Sequence, residues 1–137
     1  MGPSVREQAM IRRLAFAVLV VLALAVSAIA SAAGGLPGKY TTTITSPPQL
    51  KGKWVLTLTR SRTYTVALNR TVMARGRYSA TARTITFGRE SGGSGCSGSG
   101  TYAWRKTGRT LRFTRKREAA SCRARAAVLA HPFTQVR

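Results

Sequence analysis

The sequence predicts an all-β protein, an eight-stranded antiparallel up-and-down barrel preceded by an N-terminal signal helix. From residue 38 onward, Thr, Tyr, Val, Ile, Phe and Trp dominate and polar residues alternate with apolar ones at period 2, which is the period of a β-strand. Short segments typical of tight turns separate these runs. An apolar stretch near the N-terminus lacks this alternation and forms a separate region.

Eight segments carry the strand pattern, at 38–45, 53–59, 63–69, 73–80, 83–88, 101–106, 110–116 and 131–136. An open sheet of consecutive strands would leave two unpaired edges, so we favour a closed barrel over an open sandwich. The alanine-rich segment 118–131 predicts a short helix or turn. Pro132 then restricts the last strand to a sheet edge or a late start.

Residues 1–33 have the features of a secretory signal peptide. Arg12 and Arg13 precede an apolar run at 14–26, and small residues with an A-x-A-like exit follow. The alternative is an uncleaved anchor, because apolar and small residues continue to position 33, close to the ~20 residues that a membrane span needs. We therefore expect residues 34–137 to be a single barrel domain that is secreted, extracellular or attached to the cell envelope.

Two cysteines, Cys96 and Cys122, are expected to pair, because small exported domains form disulfides; two free thiols are the alternative. Cys96 lies in SGGSGCSGSG, residues 91–100. That composition is typical of a flexible linker, but strands of the same kind lie on both sides of it. We therefore interpret it as the loop between the fifth and sixth strands, tied down at one end of the barrel.

The alternation places most large apolar side chains on one face of the strands. The residues expected to line a ligand cavity or to form a filled core are Trp54, Leu56, Tyr64, Tyr78, Phe87, Tyr102, Trp104 and Phe113. Both outcomes are open, because eight strands enclose just enough space for side chains or for one small ligand. The opposite face carries threonines and a basic surface that includes Lys53, Arg77, Arg105 and Arg112.

The charge is strongly one-sided, with 23 Lys and Arg against three acidic residues and a net charge of +20. Such a field attracts nucleic acids, anionic lipids and acidic cell-wall polymers without specificity. Specific nucleic-acid recognition is not expected, because the aromatic side chains lie on the face opposite the arginines and cannot stack on bases. The alternative is a solvated surface that only reflects an arginine-rich composition.

Catalytic chemistry has few candidate residues. From residue 34 onward the acids are Glu90 and Glu118, the only histidine is His131, and Asp is absent. The spacing gives no reason for the two glutamates to meet as an acid–base pair, and no Ser–His–Asp set can form. We therefore predict that the protein is not an enzyme and has no metal and no cofactor.

Several segments resemble small secreted bacterial lipocalin-like domains over roughly residues 38–137: GKYTTTI, LKGKWVLTL, YTVALN, GRYSATARTITFG, GTYAWR and LRFTR, followed by a Cys and an Arg-rich RAAVLA tail. Gly52-Lys53-Trp54 is similar to the Gly-x-Trp that opens a strand in calycin barrels, the lipocalins and avidins. The resemblance implies a barrel that binds a small apolar ligand inside. It also implies a late arginine packed over the tryptophan, for which Arg115 and Arg137 are the candidates.

Two functions follow as hypotheses. The first is a secreted, non-enzymatic lipocalin-like barrel that binds a small hydrophobic ligand. The second is a cationic cell-envelope or adhesion protein that binds polyanions, such as cell-wall polymers, anionic lipids or nucleic acid, through its arginine-rich surface. Membrane contact is otherwise expected only through the N-terminal segment, if that segment remains uncleaved.

Overall fold

The computed structural model describes residues 35–93 and 95–137, so the predicted signal helix at 1–33 lies outside the described residues. Residues Leu36–Arg137 form one compact unit. Its eight strands are β1 (Gly38–Ile44), β2 (Gly52–Leu58), β3 (Thr63–Leu68), β4 (Thr71–Ala80), β5 (Thr84–Phe87), β6 (Gly100–Thr107), β7 (Thr110–Glu118) and β8 (Phe133–Gln135). One α-helix, α1 (Arg123–Leu129), precedes β8. All eight predicted strands and the short helix are confirmed.

The strands form a closed antiparallel barrel in chain order. The barrel closes because β8 pairs with both β1 and β7, which satisfies the backbone groups that an open sheet would leave at its edges. Strand β8 has only three residues and begins at Phe133, directly after Pro132. Of the two outcomes predicted for this strand, an edge position or a late start, the structure shows the late start, because proline cannot donate a hydrogen bond to a sheet.

Aromatic side chains fill much of the barrel interior. Phe87 contacts Tyr64 edge-to-face, with ring centroids 4.9 Å apart, and Phe113 packs in the same manner against Phe87 and Phe133 at 5.9 and 6.2 Å. Such edge-to-face pairs add to the stabilisation that burial provides. The side chains that alternation placed inside are buried or half-buried.

A β-bulge between β6 and β7 changes which β7 residues face the interior. Tyr102 lies opposite Arg115, whereas the preceding Thr101 lies opposite Arg117, so Lys116 has no partner across the ladder. Without this extra residue, the alternation set by Leu111 and Phe113 would turn Arg117 inward. The bulge instead turns Glu118 inward, where its side chain is 4% exposed.

The connection between β5 and β6 contains the glycine- and serine-rich stretch and is held at several points. Cys96 forms the predicted disulfide with Cys122, with their Cα atoms 5.2 Å apart. Ser91 and Arg75 exchange two backbone hydrogen bonds of 2.8 Å, and the Glu90 amide donates to the Cys96 carbonyl. The stretch is therefore a loop between β5 and β6 that a disulfide and backbone hydrogen bonds hold in place, as its sequence context predicted.

Within residues 35–93 and 95–137, no helix is both long enough and apolar enough to cross a membrane.

Candidate functional site

The barrel contains a buried ionic cluster centred on Arg125 of α1. Its guanidinium, 5% exposed, forms a two-point ion pair with Glu118: Nη2 donates to Oε1 at 2.6 Å and Nε donates to Oε2 at 3.0 Å. The same guanidinium lies 3.4 Å from Oε1 of Glu90, whose side chain is 4% exposed. A planar, bidentate guanidinium–carboxylate pair is among the strongest and most directional polar contacts in proteins.

Arg125 also holds both ends of the glycine-serine loop. Nη1 donates to the carbonyl oxygen of Gly88 at 3.0 Å, where the loop begins. Nη2 donates to the carbonyl oxygen of Gly98 at 2.9 Å, shortly before β6 begins. A single side chain therefore links α1, β7 and both ends of the loop, beside the disulfide that ties the loop to the residue preceding α1.

Two tyrosine hydroxyls complete the cluster. Tyr64 on β3 donates to Oε1 of Glu90 at 2.8 Å, and Tyr102 on β6 donates to Oε2 of Glu118. The carboxylates also accept backbone hydrogen bonds: Oε2 of Glu90 accepts one from Cys96, and Oε1 of Glu118 accepts one from Ala119 in addition to that from Arg125. Among the described residues, no buried side-chain nitrogen or oxygen lacks a partner.

The expectation that Glu90 and Glu118 have no reason to meet is therefore wrong, since both bind Arg125. Sequence spacing did not reveal this because the contact depends on the β-bulge and on the position of α1. The close approach also requires glycine at position 100, where a Cβ atom would collide with the Glu118 carboxylate. A glycine opposite Glu118 is the signal that could have suggested an inward carboxylate. This pairing can be recognised only when the register of β6 and β7 is known.

The environment of the cluster changes the pKa values of Glu118, Tyr64 and Tyr102. Burial alone would raise the pKa of Glu118, but hydrogen bonds from Arg125 and Tyr102 outweigh it and hold that pKa below the usual 4.5. Burial raises the pKa of Tyr64 and of Tyr102, and the hydrogen bond to a glutamate raises each further. Glu118 is thus held in its ionised form, and Tyr64 and Tyr102 are held in their neutral forms, which suits a structural cluster.

A small cavity lies beside the cluster and has a volume of about 60 Å³. Four of the eight predicted cavity or core residues line it: Trp54, Leu56, Tyr64 and Phe87. Val128 and Phe133 are also part of its largely apolar wall. All three guanidinium nitrogens of Arg125 already donate hydrogen bonds within the protein. The wall therefore offers a ligand mainly apolar contacts.

The other four predicted residues do not line this cavity. Tyr78 is buried and donates to the Thr59 carbonyl at 2.7 Å, and Phe113 is buried in the aromatic core. Trp104 is half-buried and donates to a carbonyl of the β4–β5 turn. Tyr102 belongs to the ionic cluster.

Neither arginine proposed to cover the tryptophan does so. Arg115 and Arg137 are both exposed, because the β-bulge and the end of the chain direct them to solvent. Arg125 is the buried arginine, and it shares the cavity wall with Trp54. Trp54 is instead anchored by its indole NH, which donates to the Leu50 carbonyl at 2.7 Å.

The outer surface carries only positive side-chain charge in residues 35–93 and 95–137. Of the 23 Lys and Arg residues, 20 lie in this part of the chain, and Arg125 is the one that is buried. Both carboxylates of the same region are in the Arg125 cluster. The four predicted surface residues, Lys53, Arg77, Arg105 and Arg112, are all exposed.

No known protein family, curated protein or solved structure matches this chain.

Replacing Arg125 with Met should lower the free energy of unfolding by about 3–5 kcal/mol, because two buried carboxylates would lose their counter-ion. Denaturant unfolding measures this loss. The exposed neighbour Arg123 offers a matched control, and Arg123→Met should change stability by about 0.5 kcal/mol or less. The triple variant Arg125→Met, Glu90→Gln, Glu118→Gln should regain part of the loss. Equal, small effects of the two arginine substitutions would contradict a central role for Arg125.

Stability should fall at both ends of the pH range. The pKa of Glu118 is lower in the folded state than its usual 4.5, so its stabilising contribution is complete above pH 4.5 and disappears as the pH falls through the folded value. Burial raises the pKa of Tyr40 from 10.0 to about 12, so this tyrosine's contribution is lost as the pH rises through that range. Thermal melts from pH 2 to about 12 test this. In the Glu118→Gln variant the melting temperature should fall less steeply as the pH is lowered.

Proposed function

We propose that the barrel is an exported, non-enzymatic cationic protein that binds anionic polymers and surfaces outside the cell. The observation that carries this proposal is the separation of charge in the described residues. Both carboxylates are buried on Arg125, whereas the lysines and the other arginines lie at the surface. A surface of one sign creates a long-range field that attracts oppositely charged partners.

The arrangement of the outer charges supports binding rather than stability. Arg105 and Arg112 lie directly opposite each other on β6 and β7, and like charges in such positions destabilise a sheet. No Asp or Glu side chain of the described residues is available on the surface to compensate for them. A bound anion would relieve this repulsion, and the guanidinium group favours bidentate contacts with phosphate and carboxylate.

The construction of the barrel supports an extracellular role. A disulfide between Cys96 and Cys122 forms and persists in an oxidising compartment. Together with barrel closure and the Arg125 cluster, the disulfide holds the basic side chains on a rigid support. A rigid surface loses little conformational entropy on binding.

The second candidate function is lipocalin-like binding of a small apolar ligand. The cavity walled by Trp54, Phe87 and Phe133 favours it. The volume of about 60 Å³ is nevertheless far below the roughly 300–1,000 Å³ of pockets for drug-sized ligands. A ligand of only a few heavy atoms would fit, and for this reason polyanion binding is the first proposal.

The protein should bind to phosphocellulose and should elute only at high salt, because surface charge interactions are screened by ions. Arg77→Gln, Arg105→Gln, Arg112→Gln should elute at lower salt, since three phosphate contacts are removed. The matched triple Arg→Lys variant keeps the charge and should elute close to the wild type. Equal elution of all three proteins, or equal retention on uncharged cellulose, would contradict the proposal.

Native mass spectrometry of the folded protein from its own host tests the second candidate. If the barrel carries a ligand, an added mass that corresponds to a few heavy atoms should accompany the protein. The variant Leu56→Phe should lose that mass, because the larger ring would fill the cavity. A spectrum with only the mass of the protein would count against ligand binding and would leave polyanion binding unaffected.

A further inference from the structure

A groove on the outer face of β1, β2 and β3 shares no lining residue with the internal cavity. Its floor consists of small, half-buried side chains: Thr41 on β1, Val55 and Thr57 on β2, and Ala67 on β3. Thr41 lies opposite Val55 and Val55 lies opposite Ala67, so the floor is two strand spacings wide, or roughly 10 Å. Val72 on β4 lies opposite Ala67 and is exposed, but it does not line the groove, so the floor ends at β3.

Basic side chains lie at both ends of this floor. Lys39 lies opposite Thr57 at one end, and Lys53 precedes Thr57 by four residues along β2. A strand rises about 3.4 Å per residue, so the Lys53 backbone lies roughly 14 Å from the Lys39 end. Arg70 also lines the groove. All three basic side chains are exposed, and both carboxylate side chains of the described residues pair with Arg125 instead.

The two-residue turn between β3 and β4 is attached to β2 at Lys53. The Asn69 amide donates to the Lys53 carbonyl at 2.9 Å, and the Lys53 amide donates to Oδ1 of Asn69 at 3.0 Å. A Cβ atom at Gly52 would lie 2.7 Å from Nδ2 of Asn69, so glycine permits this close approach. Arg70 directly follows Asn69 and is therefore at the same end of the groove as Lys53.

Arg70 adopts a backbone conformation that favours glycine. Its φ is 74° and that of Asn69 is 48°, and positive φ at both central residues is typical of the tight turns that join the strands of β-hairpins. Asn-Gly is the preferred pair in such turns, because glycine has no Cβ atom to collide with the backbone. Arginine at this position is therefore locally unfavourable, and its contribution to the groove gives a reason for it.

We propose that the groove binds a single phosphodiester chain with a polyol backbone, which lies along β2 with one phosphate at Lys39 and another at Lys53 and Arg70. The proposal rests on the proposed binding of anionic polymers, for which it names a site and a chemical class. Cations at both ends of the groove contact two phosphates of the same chain, and the second contact adds affinity because it is intramolecular. Arg105 and Arg112 lie directly opposite each other and so form a single charged position.

The floor of the groove selects the class of polymer. Val55, Ala67 and the exposed Val136 provide apolar contacts for the carbon atoms between two phosphates. The hydroxyl groups of Thr41 and Thr57 can donate and accept hydrogen bonds with hydroxyl groups of the polymer. None of the described residues that line the groove is aromatic, so a nucleic-acid strand would find no stacking partner for its bases.

Fluorescence anisotropy with a labelled glycerol phosphate oligomer tests the site on the disulfide-bonded protein. Lys39→Gln, Lys53→Gln should weaken binding about tenfold or more, and should lower the slope of log affinity against log salt by about 1.4, since two phosphate contacts are lost. The control pair Arg83→Gln, Lys116→Gln removes the same charge from exposed positions outside the groove and should have a much smaller effect. Thermal melts verify that both variants keep the fold.

Arg70→Gly separates the role of this side chain in binding from its effect on the turn. Glycine adopts a positive φ without strain, so the melting temperature should change little while binding weakens. Arg62→Gly is the matched control, because Arg62 has a φ of 66° in the turn between β2 and β3 and does not line the groove. This variant should bind the oligomer nearly as tightly as the wild type.

The outcomes separate the site, the polymer class and the broader function. No binding of the oligomer by the wild type, wild-type affinity of the lysine variant, or equal losses in the groove and control pairs would each overturn binding in this groove. Equal or tighter binding of oligothymidylate with the same number of phosphates would overturn the polyol class. Retention of the wild type on phosphocellulose alongside any of these results would preserve the proposed function. Failure of the wild type to bind both the oligomer and phosphocellulose would overturn the two proposals together.

Discussion

The two-point ion pair between Arg125 and Glu118 is the contact on which the barrel end depends. Burying a guanidinium and two carboxylates costs free energy unless every donor and acceptor finds a partner. Here Tyr64, Tyr102 and the carbonyl groups of the glycine-serine loop provide those partners. Because the partners come from β3, β6, β7, α1 and the loop, satisfying one charged group requires all these elements to be in place together.

The same cluster links the fold to the proposed function. A chain with so few acidic residues could have used them at the surface to offset neighbouring arginines. Glu90 and Glu118 instead form ion pairs with the buried Arg125. The positive side chains on the outer surface of the described residues therefore have no neighbouring carboxylate side chain. The filled interior leaves a cavity of only about 60 Å³. We therefore place the proposed binding on the outside of the barrel rather than within it.

Much of the fold could be predicted because strand alternation is a local property. Thr63–Leu68 and Thr84–Phe87 alternate so regularly that their strand state and their buried faces follow from period 2. The disulfide also followed, because two cysteines in a small chain that is predicted to be exported are expected to pair. The candidate site was largely missed because it depends on two β-bulges, one between β6 and β7 that turns Glu118 inward and one between β3 and β4 that leaves Met73 in the cavity wall. A one-residue shift reverses the face of every following side chain, and nothing in the local sequence near Lys116 or Met73 marks such a shift.

The sequence by itself determined the eight strands, their order, the short helix before the last strand and the excess of positive charge. These features depend on residue type and on spacing within a few positions. Only the tertiary structure decided that Glu118 turns inward, that Arg125 rather than Arg115 or Arg137 enters the barrel, and that Val72 turns outward. Those outcomes depend on strand register and on packing between segments that are distant in the chain, where the cost of an unpaired buried charge selects a single arrangement.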